Sequence, residues 1–381
     1  MAAEPRARSE AIRIAGAGPA GLAAAITLAR AGREVIVHEA RREVGYRFGR
    51  DLQGLENWTA AQDVIAELEA LGLSTAFDKV ACSSGTVYDR WGRGHIVQSK
   101  APIFYIVERG PGAGSLDGAL LAQARALGVT LRFNSRLERL EGRAVLAAGP
   151  KAADAIAVGY HFDTTMPDGF WAICDDSLAP QGYAYLLVMR GKGTVKSCMF
   201  SGFKSERLYV ERTVEAFRRQ VGLEMRDPQP HGGVGNFRVP ASAYAGDHPV
   251  AGEEAGFQDA LWGFGMRFAI RSGVLAARAL IESKDYDALW QRELRPWLRT
   301  SIVNRAIYSM LGNRGYAWFV RRAAAMDARE FLRRVYSPSW LKRALEPWAR
   351  MRYRSRRRDV SCDHVACSCV WCRCAGVLVA E

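Results

Sequence analysis

The stretch "AIRIAGAGPAGLAAAITLARAGREVIVHEA", residues 11–40, constrains this chain more than any other. Its apolar spacing predicts a short buried strand over Ala11–Ala15, a helix of good formers over Ala20–Ala31 that stops at Gly32, and a second strand over Glu34–His38. Between the first strand and the helix lies Gly16-x-Gly18-x-x-Gly21. Gly16 allows a tight turn, Gly18 lets backbone approach a pyrophosphate, and Gly21 lets the helix pack closely on the strand. The helix start, Pro19 and Ala20, turns its free N–H groups and positive dipole end toward the phosphates. A lone glycine pattern of this kind is weak. Here it follows a strand, opens a helix and is answered by Glu39 and Ala40 at the end of the next strand. A carboxylate at that place accepts from ribose hydroxyls and repels a 2′-phosphate. The expected ligand is NAD or the ADP half of FAD.

Two later stretches favour FAD. "LERLEGRAVLAAGP" predicts a strand running into a small-residue turn at Gly149. "YAGDHPVAGEEAGFQDALWGFGMRFAIRSGVLAARAL" places Gly246-Asp247 ahead of a glycine-broken loop, then Gly263-x-Gly265 and Met266 at a helix start. An acid for ribityl hydroxyls and a helix start aimed at the isoalloxazine would complete a cofactor site from distant sequence.

This set resembles the flavoproteins of para-hydroxybenzoate hydroxylase-like fold and, within them, the geranylgeranyl reductase family. The resemblance runs from about residue 11 to 285. It rests on "GAGPAGLAAAITLARAG" with Glu39, on Arg109 ahead of Leu116-Asp117, on Gly246-Asp247, and on "AGFQDALWGFGMRFAIRSG". "PQGYAYLLVMRGKGTV", residues 180–195, is similar to the reductase element that lines a prenyl-binding cavity. The chain departs from the family in having Tyr185 for the usual Trp and Leu187-Val188 for Phe-Pro. It also has "HPVAGE" between Asp247 and "AGFQD", and no cysteine in "VGYRFGRDLQGLENW".

The resemblance implies an α/β protein. A Rossmann-type FAD domain would be built from 11–155 and 240–285, with part of 81–105 lent to a substrate domain. That interposed antiparallel β-sheet substrate domain would span 156–239. A helical C-terminal region over 286–358 and a Cys-rich tail over 359–381 complete the expectation. The runs "AIAVGYHFDTT", "GFWAICDD", "GYAYLLVMR" and "GTVKSCMFSGF" alternate or run apolar between Gly, Asp and Pro, as strands of such a sheet do. "RTVEAFRRQVGL" predicts a helix at its edge. Trp290, Trp297, Trp318, Trp340 and Trp348, at irregular helical spacing, are expected in the helical core.

No catalytic residue is assigned by spacing. Candidates for the substrate cavity are Tyr183 and Tyr185, which share a strand face, and His248 beside Asp247. A phenol there can stabilise or donate to a developing carbanion. His38 falls inside a strand, and His95, His161 and His231 are isolated in sequence. The resemblance implies an FAD-dependent reductase of carbon–carbon double bonds in an isoprenoid or lipid-like substrate, with NAD(P)H or another electron donor as reductant. A flavin-dependent monooxygenase using NAD(P)H and dioxygen is the alternative.

Charge and cysteines add two further expectations. The chain of 381 residues carries a net charge of +13, and 340–358, "WLKRALEPWARMRYRSRRR", holds eight Lys or Arg against Glu346. Tryptophans interleave with the arginines as on helices at a lipid interface, so peripheral membrane contact is set against a merely solvated face. No nucleic-acid module accompanies the charge, which argues against that partner. No run of 18 apolar residues and no apolar leader is present, so a cytoplasmic place with reduced thiols is expected. The tail "CDHVACSCVWCRC" pairs Cys362 with His364, Cys367 with Cys369 and Cys372 with Cys374 in five-residue steps. Four such ligands would hold zinc or another thiophilic metal. Alternatively Cys369-x-x-Cys372 would serve thiol redox. The oligomeric state has no sequence signal.

Overall fold

The computed structural model describes residues 11–137, 142–151 and 153–352. The first βαβ unit forms as its pattern demands: β1 (Ile12–Ala15), α1 (Pro19–Arg30) and β2 (Val35–His38), with β1 and β2 parallel. Eight of the twelve residues of α1 are buried. Such a helix is stabilised by packing on both sides rather than by an amphipathic stripe. The chain then runs through β3 (Leu52–Glu56), α2 (Val64–Ala70), β4 (Lys79–Cys82), β5 (Ser84–Asp89), β6 (Gly94–Gln98) and β7 (Phe104–Glu108). It returns through α3 (Leu116–Ala126), β8 (Thr130–Arg132) and β9 (Ala144–Leu146) to complete a parallel sheet in the order β8-β2-β1-β9. Strands β3, β7 and β4 make a separate small antiparallel sheet.

The four strand-like runs after residue 155 are β10 (Ala155–Asp163), β11 (Gly169–Cys174), β12 (Tyr183–Met189) and β13 (Lys192–Met199). They are followed by α4 (Glu206–Val221) and β14 (Arg226–Gly235). They belong to a seven-stranded sheet, β14-β10-β13-β12-β11-β5-β6. Its pairs are antiparallel except β11 with β5, which run parallel. Upstream residues 84–98 thus lie in the same sheet as the later run.

A two-residue hairpin, β15 (Tyr244–Ala245) and β16 (His248–Pro249), precedes α5 (Met266–Glu282). Helix α5 packs directly on α1. A Cβ on Gly273 would run into the Ala20 carbonyl oxygen, and one on Gly21 into the Gly16 carbonyl oxygen. Glycine is required there by distance, not by dihedral angle. Helices α6 (Tyr286–Glu293), α7 (Arg295–Ala324), α8 (Ala328–Tyr336) and α9 (Trp340–Arg352) follow, and α7 is kinked at Gly312 with φ +57°. The tryptophans divide here. Trp290 is fully buried, but Trp318 and Trp340 are exposed, which corrects the expectation of a common aromatic core. Trp318 stands outward from the helix whose next residue, Phe319, points into the interior cavity.

Replacing Gly273 by Ala is expected to cost about 2 kcal/mol or more, because backbone on both sides must separate. Chemical denaturation of the purified protein reads this as a lower midpoint at unchanged slope.

Candidate active site

One cavity of about 1970 Å³ runs from the β1–α1 turn, under the seven-stranded sheet, to α7 and α8. At the dinucleotide end it is lined by Gly16, Gly18, Pro19, Ala20, Glu39 and Ala40. Gly16 adopts φ +98°, and a Cβ on it would strike the Ala147 carbonyl. At Gly18 a Cβ would meet nothing within 4 Å, which is the open approach a pyrophosphate needs. Gly21 does not line the cavity; its role is the close helix contact described above. The Glu39 carboxylate is fixed by two backbone donors, Ala17 N–H to Oε2 at 2.8 Å and Arg41 N–H to Oε1 at 2.9 Å. A carboxylate accepts about four hydrogen bonds, so capacity for ribose hydroxyls remains.

The middle of the cavity is built from distant segments. Gly149, at φ +98°, and Gly263, at φ +81°, both face open space. Gly265 and Met266 open α5 at the cavity wall, so a second helix N-terminus points in. Arg109 is buried along the wall. Its Nε and Nη2 donate to Asp117 at 2.7 and 3.0 Å, its Nη1 to Gln53 Oε1 at 3.1 Å, and it lies over the Phe48 ring. These bonds make Arg109 a brace between β7, α3 and β3.

Gly246 and Asp247 are not part of this wall. They form the exposed tip of the β15–β16 hairpin, where Gly246 takes φ +58° as such a turn demands. His248 is likewise absent from the lining. The chain enters the cavity one step later. Ala251 N–H donates to Leu146 O at 2.7 Å and Val250 bridges Leu146 in parallel, which lays Gly252-Glu253-Glu254 beside the Ala147–Gly149 turn. Glu254 accepts from Ala148 N–H at 2.6 Å. Glu253 lines the cavity and pairs with Arg47 at 2.7 Å. Gly252-Glu253 is a second Gly-acid pair, and it lines the cavity where Gly246-Asp247 does not; "HPVAGE" comprises the hairpin return and that pair. The available signal was the second Gly-acid pair ten residues ahead of the Gly263 turn.

Beyond this point the wall becomes apolar and aromatic, with Trp58, Phe104, Phe170, Leu187, Phe319 and Leu332. Tyr183 and Tyr185 enter from one face of β12, with ring centroids 5.7 Å apart. The Tyr183 hydroxyl donates to Trp262 O at 2.6 Å. Burial raises both phenols well above the usual tyrosine range, so they stay neutral donors.

Sequence reading missed a polar cluster in the same wall. Lys196 sits opposite Tyr185 across β12 and β13 and donates to Asp51 Oδ1 at 2.6 Å, both groups buried. His231 and His161, isolated in sequence, stack with centroids 5.4 Å apart, and His231 Nδ1 lies 3.9 Å from Asp51 Oδ1. Burial and then Lys196 push His231 down to about 4. The Asp51 carboxyl is held low by Lys196 and then His231, against the opposing effect of its own burial.

The residues fit FAD: open glycines where phosphates approach, an acid at the ribose end, two helix starts and a continuous cavity. The comparisons agree. The pattern of the NAD(P)-binding Rossmann-like domain matches residues 14–53. Digeranylgeranylglycerophospholipid reductase of Haloferax volcanii is 24% identical over 359 residues, 80% of this chain and 86% of that protein. A geranylgeranyl bacteriochlorophyll reductase-like protein from Thermoplasma acidophilum has the same fold at TM-score 0.69 and 17% identity, over 91% of this chain and 97% of that one. A p-nitrophenol 4-monooxygenase from Pseudomonas putida shares it at TM-score 0.55 and 16% identity, over 91% and 100%. The chain shares the fold of these flavin-dependent enzymes and carries a Rossmann-like dinucleotide motif. Within that class, its resemblance to the geranylgeranyl reductases is borne out by the curated relative and the solved structure.

The tail residues Cys362, His364, Cys367, Cys369, Cys372 and Cys374 lie outside the described residues. Among the described residues no group of three or more His, Cys, Asp or Glu is placed to hold a metal.

Two outcomes follow from this geometry. Glu253→Ala weakens FAD binding about tenfold or more, while Asp247→Ala leaves it unchanged, as titration of apoprotein with FAD reports by flavin fluorescence. His231 binds its proton more weakly folded than unfolded, so the unfolded chain takes up the proton first as pH falls from 6.5 toward 4. Stability then drops by up to about 3 kcal/mol across that window, and His231→Gln flattens the drop in thermal melts.

Proposed function

We propose that the protein reduces carbon–carbon double bonds of an isoprenoid or lipid-like substrate. The observation that carries this reading is the continuity of one cavity from the dinucleotide turn into an aromatic and apolar chamber at Tyr183, Tyr185, Phe104, Phe170 and Phe319. An extended hydrocarbon chain would bury its surface there, at about 25 cal/mol per Å². The curated relative, named as a reductase of a digeranylgeranylglycerophospholipid, supports the substrate class.

Bound FAD supplies the hydride, and NAD(P)H or another donor restores it. Gly16, Gly18 and Glu39 would hold the adenosine diphosphate half. Gly252, Glu253 and the α5 start at Gly265 and Met266 would hold the flavin half. The apolar wall excludes water, and Tyr185, whose hydroxyl has no hydrogen-bond partner among the described residues, remains available to a substrate oxygen or developing charge. Segments 11–155 and 240–285 would then act as the FAD-binding part, with 156–239 and the β5–β6 strands as the substrate part.

A lipid substrate must leave a membrane, and α9 offers a contact. Trp340 is 81% exposed, Leu341 and Met351 are exposed, and Lys342, Arg343, Arg350 and Arg352 share the helix. Among the described residues no helix is long and apolar enough to cross a membrane. The contact would therefore be peripheral, through insertion of the tryptophan and attraction to anionic headgroups.

The test is anaerobic. Protein reduced with dithionite is mixed with digeranylgeranylglycerophospholipid. The flavin is expected to reoxidise without dioxygen, and the lipid to gain two hydrogens per double bond in the mass spectrum. Reoxidation only in air, with an oxygen atom in the product, would establish the monooxygenase instead. In a second measurement, Trp340→Ala is expected to reduce sedimentation with phosphatidylglycerol vesicles severalfold without changing FAD content.

A further inference from the structure

The buried cluster on the sheet face is more than the cavity's shape requires. Lys196 and Asp51 are 2% and 0% exposed, and an ion pair so deeply buried contributes little or no net stability compared with apolar residues of the same volume. Its bonds are also incomplete. Asp51 Oδ1 is the one hydrogen-bond partner of the Lys196 ammonium among the described residues, which leaves two N–H groups for the cavity that Lys196 lines. Asp51 itself is fixed by Gln53 Nε2 at 2.9 Å, and Thr194 lies 3.4 Å away.

The histidines extend this cluster outward. His231 Nε2 is 2.9 Å from the Arg47 carbonyl, which only accepts, so Nε2 carries the hydrogen and Nδ1 is bare. Bare Nδ1 then faces Asp51 Oδ1 at 3.9 Å, acceptor toward acceptor. At 3.9 Å the pair is beyond direct hydrogen-bond range, so His231 Nδ1 must close on Asp51 before a proton passes between them. The Nδ1 atoms of His231 and of His161 are both buried without a partner. His161, stacked on His231, is only partly buried, and the exposed Arg50–Asp163 pair lies beside it. The row from outside to cavity is thus His161, His231, Asp51, Lys196, with Tyr185 opposite Lys196 and Cys198 on the same strand face.

We propose that Lys196 is the proton donor of the cavity, held by Asp51 and recharged through His231. The proposal rests on the reductase reading. A double bond that accepts a hydride at one carbon needs a proton at the other. The Lys196 N–H bond breaks, the C–H bond forms, and the neutral amine retains the electron pair. The amine then takes a proton by way of Asp51 from His231, which is resupplied by solvent in the cavity it lines. The two electrons come from reduced flavin, itself reduced by the nicotinamide or equivalent donor. The groups that face the row are Arg47 and Arg50, the Arg109–Asp117 pair beyond Gln53, Tyr185 and Cys198. Burial, and then positive Lys196, keep His231 uncharged at rest.

The experiment follows single-turnover reduction of digeranylgeranylglycerophospholipid by the FAD-loaded, prereduced protein. Lys196→Ala is expected to slow lipid reduction about 100-fold or more, and added ethylamine to restore it in proportion to its concentration. Reduction at the wild-type rate, or a slow rate that no alkylamine rescues, would overturn the donor role. Should Lys196→Ala not fold, Lys196→Met with Asp51→Leu removes both charges at similar volume, and the same slowing is expected. If wild type leaves the lipid unreduced, the reductase reading falls, and nitrogen-15 NMR of the apoprotein decides the relay. There Lys196→Met is expected to raise the His231 titration from about 4 toward 6.5, whereas an unmoved titration would remove the coupling on which the relay depends.

Discussion

The contact between α1 and its two neighbours fixes everything else about the site. Gly21 brings α1 against the Gly16 turn, and Gly273 brings α5 against the Ala20 carbonyl. With no Cβ at either place, backbone meets backbone, and the two helices are locked with their N-termini at one cavity. Partial positive charge from both helix starts then falls along one line, which suits a ligand with phosphates at one end and an electron-accepting ring at the other. The Gly252 N–H bond to Ser272 Oγ at 2.8 Å ties the acidic loop to the same helix pair.

The opposite wall is a sheet, and its physical contribution is different. Alternation along β12 and β13 sends Tyr183, Tyr185, Lys196 and Cys198 to the cavity side, and Gly159 and Gly233 leave room above the neighbouring strands. A Cβ on Gly159 would run into the Val195 carbonyl. The sheet therefore offers charge and phenols in one patch and smooth apolar surface beyond it, within a single enclosure. An amphipathic or unsaturated ligand can place its reacting carbon near the polar patch while its chain stays dry.

Much of this was legible in the chain. The βαβ unit declares itself through glycine spacing and apolar strands, because those features act within 30 residues. The later strands are legible from alternation and their terminal Gly, Asp or Pro residues. Gly246-Asp247 and Gly252-Glu253 offer the same local chemistry, and only the second lies at the cavity, because Val250 pairs with Leu146 about 100 residues away. Trp318 and Trp340 misled because composition counts aromatic rings without giving their direction. The histidine–lysine–aspartate row had no local signal at all. Its members come from residues 51, 161, 196 and 231; the strand order β14-β10-β13 brings the last three together, and the start of β3 carries Asp51 to them.

The most direct test of the account is a crystal structure of the protein with FAD bound. It predicts the adenosine at Glu39, the pyrophosphate over Gly18, Glu253 beside the ribityl chain, and the isoalloxazine between the α5 start and the sheet face bearing Tyr185 and Lys196. A flavin contacting the Asp247 hairpin, or a ring walled off from Lys196 and Tyr185 by intervening protein, would contradict it.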